Sequence, residues 1–114
     1  MYLTRPTVLK VLTDLRRRIS NFSISFDYMS EAVIAYATGD EGTSGLVRRF
    51  AAMGAPWHFG LDDLGEFARE ADMIVMDKVK VADLYRTYWP NQALDHSAFY
   101  DNYSLCTLTP DSAR

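Results

Sequence analysis

One cysteine, two histidines and no long apolar run are the scarcities that bound this 114-residue chain. The lone Cys106 excludes an intramolecular disulfide and any zinc site built from several cysteines, which points to a reducing compartment. A membrane-spanning helix needs about 20 consecutive apolar residues, and the sequence contains no such stretch. The first seven residues hold no apolar core of signal-peptide length, so the cytoplasm is the expected location. His58 precedes Asp62 and Asp63 at a spacing that permits an imidazole–carboxylate pair. A metal site needs three or four ligands of fixed geometry, however, and only Asp95, His96 and Asp101 remain to supply them. No Gly-x-Ser-x-Gly turn surrounds a serine. The glycines from Gly39 to Gly45 lack a Walker lysine and sit beside Asp40 and Glu41, which repel phosphate. A non-enzymatic protein without metal or cofactor is therefore the expectation.

What is present is apolar mass and segregated charge. Hydrophobic residues make up 48% of the chain and aromatics 13%, enough for a packed interior and against disorder. The length fits a single compact domain, with a tail expected to fray after about 108. Val8, Val11, Leu12, Leu15 and Ile19 recur at helical spacing, predicting a helix from Pro6 to about Ile19 with Thr4 as its N-cap. Phe22 to Tyr28 alternates like a strand, yet Phe22, Phe26, Met29, Val33 and Tyr36 also fit a helical stripe. Gly39 favours a helix end over a hairpin. Thr43 or Ser44 would cap a helix through Met53. The apolar Gly54 to Gly60 loop should be packed. A helix opens near Leu61 or Asp62 and buries Leu64, Phe67, Ala68, Ala71, Ile74 and Val75. After a short strand-like Val79 to Val81, another helix runs from Ala82 to Trp89 and stops at Pro90; Ser97 to Tyr103 holds a last short one. The pattern reads as an all-α helical bundle of about five helices, with an α+β fold carrying a hairpin at 22–38 as the alternative. Tyr85, Tyr88 and Trp89 have the spacing of a buried helical stripe.

Charge is the more telling signal. Residues 1–20 carry Arg5, Lys10, Arg16, Arg17 and Arg18 against Asp14 alone. The stretch from Asp62 to Asp77 sets Asp62, Asp63, Glu66, Glu70, Asp72 and Asp77 against Arg69, within a chain of net charge −3. Carboxylates on one helix face suit a protein-binding module that docks Asp62, Asp63, Glu66, Glu70 and Asp77 onto a basic groove of its target. Phage-encoded anti-defence proteins, including anti-CRISPR inhibitors, are of this physical type; the likeness is one of size and charge, with no shared motif. Two alternatives use the same segregation. In one, the basic helix of one copy meets acidic residues of another in a self-associating structural protein. In the other, Arg16, Arg17 and Arg18, joined by Arg48 and Arg49, make a nucleic-acid-binding accessory surface, although the acidic balance disfavours direct nucleic-acid binding.

Overall fold

The spacing of Val8, Leu12 and Leu15 produces the helix it predicts, α1 (Arg5–Arg18), in the computed structural model, which describes residues 3–112. Pro6 lies in its first turn, where a missing amide donor costs nothing, and Arg16, Arg17 and Arg18 fill its last turn. Thr4 occupies the N-cap without a side-chain cap bond; its hydroxyl pairs with that of Thr7 at 2.9 Å.

Beyond α1 the fold is α+β, and the all-α helical bundle is overturned. Six helices and a three-stranded antiparallel sheet occupy the described residues. Ile24–Met29 forms β1, so the alternation of Ile24, Phe26 and Tyr28 prevails over the helical reading. There is no hairpin at 22–38: β1 pairs with β3 (Tyr103–Pro110) at the far end of the chain, Ile24 opposite Leu108 and Met29 opposite Tyr103. Between them come α2 (Glu31–Ile34) and α3 (Glu41–Ala52). The cap of α3 is Asp40, whose carboxylate accepts from the Thr43 amide at 2.8 Å; Thr43 and Ser44 are buried.

The predicted acidic helix is cut in two. α4 covers only Leu64–Glu70, and β2 (Met73–Lys80) follows. Asp72, at φ +54°, turns the chain in the left-handed conformation that aspartate tolerates better than most residues. The β-branched and unbranched apolar run after it then pairs with β3. α5 (Val81–Tyr88) and α6 (Ser97–Asp101) complete the fold before β3. β3 is the middle strand, in the order β1-β3-β2, and it runs to Pro110, two residues into the tail expected to fray after about 108. Its residues 103–109 alternate period two, with Ser104, Cys106 and Leu108 buried.

Two apolar clusters follow from this arrangement. On one face of the sheet Val8 and Leu12 of α1 and Leu64, Phe67 and Ala68 of α4 meet Tyr28, Cys106 and Leu108. Met29, Val33, Val47 and Phe99 form the second cluster, against which Phe50, Trp57 and Tyr103 pack, so the Gly54 to Gly60 loop is packed as expected. Gly60 bridges to Met29, and a Cβ there would lie 2.5 Å from the Glu31 Cα. Tyr85, Tyr88 and Trp89 are not a buried stripe: Tyr88 is 70% and Trp89 51% exposed, and Ala82 is the buried residue of α5.

Candidate functional site

The acidic run does not form one face. Asp62 precedes α4 and its carboxylate accepts from the Glu31 amide at 3.0 Å, at the start of α2. Asp63 is the N-cap of α4 and accepts from the Glu66 amide at 2.9 Å. Glu70 meets Arg5 at 2.6 Å, and Asp72 stands 3.9 Å from Arg16. Asp77 is on β2, at a register shift between Val75 and Asp77. Among the described residues Glu66 is the exposed α4 carboxylate with no ion pair. Much of the run is thus spent on capping helices and on neutralising the first helix.

The basic candidates are divided as well. Arg16 donates to the Asp111 carbonyl at 2.8 Å, while Arg17 and Arg18 are exposed. Arg48 bonds Glu41 at 2.8 Å and lies over the Tyr36 ring, and Arg49 is exposed in the last turn of α3. α1 packs in the first cluster and α3 in the second, so the two arginine groups belong to different parts of the fold. His58 is exposed and bonds neither Asp62 nor Asp63. Among the described residues no group of three or more His, Cys, Asp or Glu is placed to hold a metal, and no helix is long and apolar enough to cross a membrane. Burial pushes the Cys106 thiol up to about 12, so it is a protonated, inert side chain at neutral pH.

What the tertiary structure brings together is on the sheet. The register aligns Ser25, Thr107 and Asp77 in one row and Asp27, Leu105 and Val79 in the next, on the face opposite α1 and α4. These residues floor an open hollow of about 430 Å³. Leu105, 37% exposed, and Val79 are the apolar part of the floor, with Asp27 and Asp77 on its two outer strands. The Tyr103 hydroxyl donates to Asp27 and holds that carboxylate in place. On the α1 side of the sheet, Tyr28, Ser104 and Lys80 align in one row, beside Lys78 in the next. They border a cleft of about 190 Å³ closed by Asp62, Asp101 and Asn102. Of all these residues only Asp62, Asp77 and Asp101 stood out in sequence as candidate site residues; the period-two alternation of 103–109 was the signal that could have found the β3 members.

No protein-family model, curated protein or solved structure matches the chain.

Proposed function

We propose that this protein is a non-enzymatic association module whose partner is a second copy of itself. The basic outer face of α1 in one copy rests on the carboxylate-edged open sheet of the next. The observation that carries this reading is the opposition of charge across the sheet: α1 covers one side and turns the half-exposed Val11 with Arg17 and Arg18 outward, while the other side, packed at its Met29–Tyr103 end, offers Leu105 and Val79 between Asp27 and Asp77 beyond it. Apolar contact supplies affinity, and the charges set orientation and exclude wrong pairings. Stacking two open faces on each other would put Asp27 and Asp77 against their own copies, which favours the head-to-tail arrangement. Such a contact is heterologous and extends into short rods unless the rotation closes a ring. A reducing, cytoplasmic setting belongs to the same reading, since Cys106 is a buried free thiol.

The inhibitor reading, in which acids 62–77 occupy a basic groove, is weakened because Asp62, Asp63 and Glu70 already have partners in the fold. The nucleic-acid reading retains Arg17, Arg18 and Arg49 as its exposed cations. Sedimentation velocity at low salt and at 1 M salt separates the three, because the Debye length falls from about 10 Å at 0.1 M to about 3 Å at 1 M. Self-association at low salt, weakened at 1 M and lost in Asp77→Lys, is expected. A monomer under both conditions refutes the proposal. Capture of a basic protein, or salt-sensitive binding of DNA, by that monomer would install one of the other two.

A further inference from the structure

The cleft between β2 and the loop before α4 contains polar groups that the association reading does not use, and they divide cleanly by what they already bond. Ser30 donates to Asn102, and the Asn102 amide donates to the Ala98 carbonyl. Asp62 accepts from the Glu31 amide, and Asp101 stands 3.5 Å from Arg86. Four groups of the lining make no such bond to the rest of the fold among the described residues: the ammonium groups of Lys78 and Lys80 and the hydroxyls of Tyr28 and Ser104, the last two beside each other. All four can donate hydrogen bonds, and two are cations.

Tyr28 is the unusual member. It is 3% exposed, and its hydroxyl oxygen has no hydrogen-bond partner of standard geometry. The Ser104 hydroxyl on the adjacent strand lies near enough to ease ionisation slightly, but burial dominates and keeps the phenol protonated. A buried hydroxyl without a partner is costly and uncommon in folded proteins. Lys78 and Lys80 are two residues apart on one strand, so their side chains leave the same face about 7 Å apart, a span one oxyanion bridges.

We propose that this cleft is a binding site for the oxyanion of a small molecule, held between Lys78 and Lys80 and receiving hydrogen bonds from the Tyr28 and Ser104 hydroxyls. A volume of about 190 Å³ accommodates an anionic group with a short organic tail. Asp62 and Asp101 border the same cleft. Arg86 offsets Asp101, which leaves the two lysines against the single carboxylate of Asp62, itself held by the Glu31 amide. The site lies on the α1 side of the sheet, away from the open hollow, and stands or falls independently of self-association.

The test is a titration of the full chain with inorganic phosphate and, separately, with acetate, at constant ionic strength, followed by backbone amide NMR. Saturable shifts confined to residues near 28, 78, 80 and 104 are expected with at least one of the two, and the responding anion identifies a phosphate-type or carboxylate-type ligand. Lys78→Gln and Lys80→Gln should each weaken binding at least tenfold. Tyr28→Phe keeps the ring and its packing, so the fold is retained, and it should weaken binding about fivefold. No saturable response to either anion overturns the proposal, and so does equal binding by wild type and Lys80→Gln. Equal binding by Tyr28→Phe overturns the assignment of its hydroxyl.

Discussion

Three acids of the same run, Asp62, Glu66 and Glu70, are expected to differ in what their removal does to the fold. As carboxylates on one solvated helix, each alanine substitution would relieve like-charge repulsion and leave stability unchanged or slightly higher. The structure predicts otherwise. Asp62 satisfies the Glu31 amide at 3.0 Å, and loss of such a capping acceptor costs about 1 kcal/mol, within a range of roughly 0.5–2. Glu70 pairs with Arg5 at 2.6 Å, but the side chains are 49% and 35% exposed, so solvent screening holds the pair to about 0.2–1 kcal/mol. The upper part of that range applies, because Arg5 also lies 5.9 Å over the Phe59 ring and 5.4 Å over the Phe67 ring and is thereby held in place. Glu66 has no ion pair and should stay within about 0.5 kcal/mol of wild type. The order of destabilisation is then Asp62→Ala, Glu70→Ala, Glu66→Ala. Urea unfolding measures it, with the slope unchanged if only stability moves. At this chain length about 1 kcal/mol corresponds to roughly 3–5 °C in Tm. Repeating the series at 1 M salt should shrink the Glu70 penalty and spare that of Asp62, a hydrogen bond more than a distant Coulomb contact. If Asp62→Ala and Glu66→Ala melt together, or all three variants gain stability, the run is the solvated face after all.

Gly60→Ala should destabilise by about 1–3 kcal/mol or displace the loop, since the new Cβ meets the Glu31 backbone at 2.5 Å; an unchanged melting curve would contradict that contact. Phe67→Ala empties a fully buried ring site against Phe26 and Phe59 and should cost about 3–5 kcal/mol, read by denaturant unfolding. Because burial raises the Cys106 thiol to about 12, the folded chain keeps a proton that the unfolded chain releases near 9. Stability from this group is complete below about pH 9 and falls as pH rises towards 12. A Cys106→Ser chain should lose that part of the alkaline slope, and native Cys106 should resist alkylation at pH 8; rapid labelling without unfolding would disprove its burial.

Local patterns were legible where one face of one element decided the outcome. α1 was visible because Val8, Leu12 and Leu15 repeat at helical spacing, and Pro6 marks its start. The packed Trp57 to Phe59 loop was legible from its apolar content alone, and Leu64, Phe67 and Ala68 were correctly placed inside. The failures share one cause. Ile74, Val75, Met76 and Val79 suit a helix or a strand, and the choice falls to strand only because β3 arrives to pair with them from the other end of the chain. Tyr85, Tyr88 and Trp89 have a buried helix's spacing but no element over them, so only Ala82 of α5 is enclosed.

Composition and periodicity by themselves determined that this chain has an apolar interior, a first helix with a basic end and a single thiol. Each of these depends on residue identity or on neighbours within a turn or two. Only the tertiary structure decided that the C-terminal segment is the central strand, and with it where the charges act. Asp62 becomes a cap, Glu70 and Asp72 answer α1, and Asp77 joins Asp27 on an open sheet. Strand pairing is non-local, so the residues that specify a sheet register lie as far apart as Ile24 and Leu108, beyond the reach of any local pattern.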